Sequence, residues 1–148
     1  SAGTDNLGAF LTGMNLSRTS IGVTTDKKLY VGAPLSAGGS SKIVGINIAG
    51  APAGLVFAQA PTVVGEITGL AVSSDHIFVI SHVNNSFKLS AFRRDTGVLV
   101  TETALAPTAN PFVPYRIAAS AGGTVYVFGA EITGGNTYHF RVFEVTLS

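Results

Sequence analysis

The sequence predicts an all-β fold of three four-stranded antiparallel units, and three observations predict it. An aliphatic-aromatic-valine triplet occurs at Leu29-Tyr30-Val31, Ile77-Phe78-Val79 and Val125-Tyr126-Val127, successive copies lying 48 residues apart. Turn-forming clusters follow each triplet, at Gly38-Gly39-Ser40-Ser41, Asn84-Asn85-Ser86 and Gly134-Gly135-Asn136, residue types that accept the backbone angles of tight hairpins. The chain is 46% hydrophobic and only 11% charged, with 18 glycines, a composition that suits short strands and turns better than long amphipathic helices.

Each unit is laid out in the same order. First strands are expected at residues 21–25, 70–74 and 117–121, ending in the turn formers Asp26, Asp75 and Gly122-Gly123. The triplets form the second strands. Third strands follow the Gly- and Asn-rich clusters at residues 42–46, 88–92 and 139–143, and fourth strands lie at 55–58 and 98–101, after the turns Ala49-Gly50 and Asp95-Thr96-Gly97. The third unit has no fourth strand of its own. The segment 7–16, carrying Gly8-Ala9-Phe10-Leu11, is expected to supply it as a displaced strand. The chain then reads as one repeat domain over residues 1–148, with units at about 20–60, 68–105 and 115–148. A β-sandwich of three hairpin repeats is the alternative arrangement of the same strands.

The segments KLYVGAPLSAGGSSKIVGINIAG, HIFVISHVNNSFKLSAFRRDTG and TVYVFGAEITGGNTYHFRVFEV resemble blades of the quinoprotein-like and YVTN-type β-propeller families, and the resemblance covers about residues 20–148. It implies propeller-type blades, a repeat length that suits them, and says little about activity, because one such fold hosts many functions. The chain has no Trp, so the tryptophan docking motif of the quinoproteins is missing, and with it the reason to expect a quinone. No cofactor is expected.

Known propellers close with about four to eight blades, each burying its faces against its neighbours. Three blades therefore predict a partner. The expected partner is a second copy, completing a six-bladed ring head to tail. Phe10 and Leu11 of one chain would meet Tyr138, Phe140 and Val142 in the last unit of the other. A different protein partner, or further blades in a longer polypeptide, would serve the same physical need. Ser1 points to an initiator Met or a leader that has been removed.

Nine basic and eight acidic residues leave a net charge of +1, too little to neutralise a phosphate backbone, so nucleic acid is not an expected partner. With no cysteine, disulfides, thiolate metal sites and Cys nucleophiles are excluded. The charge-free stretch between Lys42 and Glu66 contains Pro52, Pro61, Asn47 and Gln59 and is read as strand, turn and strand, with no membrane insertion. A weakly charged, β-rich surface is expected to associate, and suits a cell surface, an extracellular assembly or a virion.

Catalytic signatures are absent: there is no G-x-S-x-G, H-E-x-x-H, P-loop or G-x-G-x-x-G pattern. The composition points away from an enzyme and towards a structural or binding module. His76, His82 and His139 lack metal-ligand spacing, and no metal is expected. Candidate binding residues are His82 and His139, near strand ends; Glu66, in the first connection between units; and Phe112, Tyr115 and Arg116, in the second. In propellers such connections line one face of the ring, and Tyr and Arg are enriched in recognition hot spots. A glycan is a possible ligand, through aromatic stacking. A hydrolase or lyase using Glu66, Arg116 and a histidine ranks last.

Overall fold

The computed structural model describes residues 6–50 and 52–147. Among them twelve strands form three antiparallel sheets, each a simple meander. Sheet 1 contains β1 (Ser20–Val23), β2 (Lys28–Pro34), β3 (Ser40–Asn47), β4 (Gly54–Leu55) and β5 (Thr62–Val64). Sheet 2 contains β6 (Glu66–Val72), β7 (His76–Val83), β8 (Ser86–Arg93) and β9 (Leu99–Ala104). Sheet 3 contains β10 (Phe112–Ala119), β11 (Val125–Thr133) and β12 (Thr137–Val145). The all-β, antiparallel expectation holds. The triplets fall in β2, β7 and β11, and the hairpins close on the expected turns, with Asn84 at φ 47° and Asn136 at φ 60°.

The sheets are stacked in series and enclose two interiors. Tyr30, Ile43, Phe57 and Val63 of sheet 1 meet Ile67, Leu70, Ile77, Val79 and Phe92 of sheet 2. On its other face sheet 2 presents Phe78, Ile80, Leu89 and Ala91, with Leu105 after β9, to Phe112, Val125 and Val127 of sheet 3. Adjacent sheets thus face each other as in a sandwich, sheet 2 is covered on both sides, and the described residues close no barrel or ring. The first strands lie close together because glycines leave room: a Cβ on Gly22 would sit 3.0 Å from Leu70 Cδ2, and one on Gly69 would sit 3.1 Å from Ile117 Cγ2. Buried Ser41 ties sheet 1 to the start of sheet 2, its hydroxyl donating to Gly65 O at 2.8 Å and accepting from Ile67 N at 2.9 Å.

The first strands of the second and third units begin earlier than expected, so Glu66 opens β6 and Phe112, Tyr115 and Arg116 lie within β10 and not in connections; two further elements depart from the sequence expectation. The fourth strand of sheet 1, expected at 55–58, is split: β4 and β5 both pair with β3, and the chain between them leaves the edge. Phe57 turns inward from that break and stacks on Tyr30, ring centroids 6.5 Å apart, against the bare backbone of Gly45. Burying a phenyl ring is worth about 2–3 kcal/mol, more than an exposed edge pairing returns.

The second departure corrects the displaced strand expected at 7–16. Gly8–Leu11 and Leu16–Arg18 are 3-10 turns. Leu7, Phe10, Leu11 and Met14 follow the helical spacing i, i+3, i+4, i+7, and they lie on the face of sheet 1 that points away from sheet 2, over Val31, Ala33, Val44 and Ile46. Within the chain this segment does not pair with β12, and Phe10 and Leu11 sit at the opposite end of the stack from Tyr138, Phe140 and Val142.

Burial pushes the Tyr30 hydroxyl up to about 12, although it donates to Arg94 O at 3.3 Å. The folded chain keeps a proton that the unfolded chain releases near 10, so the stabilisation is complete below pH 10 and is lost as pH rises towards 12. Urea denaturation across that range should show a falling alkaline limb that Tyr30→Phe flattens. Tyr30→Ala should lower stability by about 3–5 kcal/mol, as expected for emptying an aromatic core site. Gly129→Ala should also destabilise, by about 1–3 kcal/mol, because the added methyl would meet Phe112 Cζ at 2.6 Å and Pro114 Cα at 2.9 Å.

Candidate functional site

Alternation along β11 sends Val125 and Val127 into the interior shared with sheet 2 and sends Tyr126 and Phe128 to the other side. Register places Ala118 and Glu144 beside Tyr126, Arg116 and Val142 beside Phe128, Phe140 beside Ala130, and Tyr138 beside Ile132. Partners across a sheet share a face, so one side of sheet 3 carries Tyr126, Phe128, Tyr138, Phe140 and Val142, all exposed. Tyr115 joins them from a bulge where the β10 register steps between Pro114 and Arg116. Such bulges re-aim a side chain. The Tyr115 ring lies 6.2 Å from Phe128 and 6.4 Å from Phe140, and the last two stack at 6.2 Å with 14° between their planes.

Comparison of the three triplets makes this face distinctive. Tyr30 is 0% exposed beneath sheet 2 and Phe78 is 3% exposed beneath sheet 3, whereas Tyr126, at the matching position, is 41% exposed. A contiguous aromatic surface of this kind marks an interaction site more often than a solvated wall.

The residues singled out from sequence do not converge on one centre. Phe112 is buried and meets Phe143 edge to face at 5.2 Å, which makes it a core residue. Tyr115 belongs to the exposed aromatic face, and Arg116 flanks it, donating from Nη1 to Tyr115 O at 2.8 Å. Arg116 also borders a shallow cleft of about 330 Å3 along the first strands, shared with Thr19, Ser20 and Thr68. Glu66 is held at the surface by Arg18 Nη1, which donates to its two oxygens at 2.8 and 2.9 Å. His82 lies across from Glu66 in the register and stacks on Phe87 at 4.4 Å. His139 pairs with Glu131 in the β-ladder of sheet 3.

Two charged clusters escaped the sequence reading. Glu131 is buried, and its carboxyl is held below its ordinary range first by the Thr108 hydroxyl, then by Asn110 and by Arg141, whose Nε donates at 3.0 Å. It fastens the connection before β10 to sheet 3. Between sheets 1 and 2, at the turn end, Asp26 accepts from Lys28 Nζ at 2.9 Å and from Arg94 Nη2 at 2.8 Å. Arg93 pairs with Asp95 alongside, at the rim of a cleft of about 450 Å3. The cations there are each matched by a carboxylate, so the arrangement works as a clamp across the sheets. No single motif could have revealed either cluster, since their members come from distant positions. Among the described residues no group of three His, Cys, Asp or Glu side chains is gathered as a metal site, and no helix is long and apolar enough to cross a membrane.

No protein-family model matches the chain, and no curated protein matches it. Among solved structures it is similar to an uncharacterized protein, lmo1340, from Listeria monocytogenes EGD-e, with a TM-score of 0.53 and 11% sequence identity. The match covers 93% of this chain and 41% of that one. At this identity the likeness concerns the fold alone, and the chain spans less than half the length of the protein it resembles.

The Thr24 hydroxyl, then Lys28 and Arg94, hold the Asp26 carboxyl down, from its ordinary 3.8 to about 2. A depressed carboxylate stabilises the fold above its ordinary value and ceases to do so as pH falls through the lowered one. Urea denaturation between pH 4 and pH 2 should therefore show an acid-dependent loss of stability that Asp26→Asn reduces, at the expense of lower stability at pH 7.

Proposed function

We propose that the chain is a non-catalytic structural or binding module of propeller-type blades that assembles with a second copy of itself. The observation that carries this reading is Tyr126, open to solvent where Tyr30 and Phe78 are each covered by the following sheet. The close approach of the first strands at Gly22 and Gly69 supports a radial arrangement of blades. Three such blades stop short of a ring, and two chains would bring six. The scatter of Glu66, Arg116, His82 and His139 supports a role other than catalysis, because general acid-base chemistry needs its groups within hydrogen-bond reach of one substrate.

The stacked Phe128 and Phe140 rings with Tyr115 favour one other reading, a carbohydrate-binding platform, since sugar rings lie flat on exposed aromatic faces.

Native mass spectrometry of the purified chain at micromolar concentration should give a dimer. Phe140 is 67% exposed, so Phe140→Ser should leave the thermal stability of the monomer unchanged while weakening the dimer by about tenfold or more, the usual effect of removing an aromatic anchor. A chain that stays monomeric at every concentration would overturn self-assembly. Retention of a glycan by the native chain, lost in Phe140→Ser, would transfer the face to the carbohydrate reading.

A further inference from the structure

In sheets 2 and 3 the side that looks back at the preceding sheet is built alike. Leu70, Val72, Ile77 and Val79 receive Tyr30, and Ile117, Ala119, Val125 and Val127 receive Phe78. The matching positions of sheet 1 are Ile21, Val23, Leu29 and Val31, which the register places together on the side pointing away from sheet 2. That side is unevenly covered. Val31, Val44 and Ile46 are buried beneath the segment Leu7 to Met14, whereas Ile21 and Val23 on β1 stand 60% and 58% exposed. The covering segment is lightly held: Asn15 N donates to Pro34 O and Ser36 N to Gly13 O, one isolated bridge joins Met14 to Leu35, and Leu7, Phe10 and Leu11 remain half-buried. Few buried contacts and short turns define a segment that opens at low free energy.

Sheet 3 has the opposite deficiency. Its outward side presents the third triplet aromatic, Tyr126, with Ala118 exposed beside it on the first strand, and among the described residues no sheet covers them. We infer that these two surfaces are the halves of one interface: the outward side of sheet 3 in one copy docks on the outer side of sheet 1 in a second copy. Tyr126 then enters among Ile21, Val23, Leu29 and Val31 as Tyr30 and Phe78 enter their own neighbours. Residues 7–14 lie over part of the receiving surface, so docking displaces them. The inference rests on the self-assembly reading above and adds the partner surface and the segment that competes for it. The chemistry of the fit is apolar and aromatic throughout, continuous with the two interfaces inside the chain.

The chain contains no cysteine, so single cysteines report the geometry without interference. Ala118→Cys and Ile21→Cys chains are mixed in equal amounts under mild oxidation. The expected product is a disulfide-linked pair of one Ala118→Cys chain with one Ile21→Cys chain, formed at least about tenfold faster than either chain links to itself, because docked positions have a high effective concentration. Linkage only between Ala118→Cys chains would leave self-assembly standing and overturn this docking. A monomeric mass with no linkage would overturn both. As a second measurement on the full chain, the double substitution Phe10→Ser, Leu11→Ser should tighten the dimer by about tenfold by raising the fraction of chains ready to dock. An unchanged or weaker dimer would show that residues 7–14 do not compete for the surface.

Discussion

The structure depends on an aromatic ring in the second strand of sheets 1 and 2 being buried by the sheet that follows. Tyr30 lies among Leu70, Ile77 and Val79, and Phe78 lies among Val125 and Val127. Each contact removes an aromatic side chain from water and sets how closely consecutive sheets stack, which in turn demands the bare backbones of Gly22 and Gly69 where the first strands approach. Sheets that are apolar on both sides have no other way to shield themselves. Stability therefore comes from one kind of contact, made inside the chain for two rings, while Tyr126 stays exposed.

Polar groups refine this arrangement at its rim. Ser41 satisfies two backbone groups where sheet 1 hands over to sheet 2, and Arg94, anchored on Asp26, bridges the same two sheets at the turn end. Glu131 and Arg141 hold the connection into sheet 3. These charges lie at ends of strands, where water still reaches one partner of each pair, so they orient loops at modest energetic return. The two interiors between the sheets are lined mainly by aliphatic and aromatic side chains.

Much of the strand order could be read from sequence because strand periodicity and turn chemistry are local. The aliphatic-aromatic-valine triplets alternate faces with period two, and Asn84 and Asn136 adopt the left-handed angles that tight hairpins require. The N-terminal segment was misjudged because Leu7, Phe10, Leu11 and Met14 carry a helical spacing inside a short run that also reads as a strand, and short apolar runs are ambiguous between the two. Phe57 could not be foreseen either, since its inward turn depends on room beside Gly45 on the neighbouring strand and Gly97 in the second unit. Tyr115, a candidate binding residue, and Phe140, an expected oligomer contact, are brought together by a register step after Pro114, a detail that composition does not encode. Phe112 was a candidate binding residue because it was expected in a connection between units, and it is a core residue at the start of β10.

The broken rim of sheet 1 bears on how the molecule would go wrong. A strand that stays straight and unpaired along one side can recruit foreign strands through its free backbone groups. Sheet 1 denies that opportunity, since the gap between β4 and β5 interrupts the row of donors and acceptors. Along the nine residues of β12 the register runs without a shift, and among the described residues no fourth strand covers the far side. Of the two edges, β12 is therefore the one that offers a foreign strand an uninterrupted row of backbone groups.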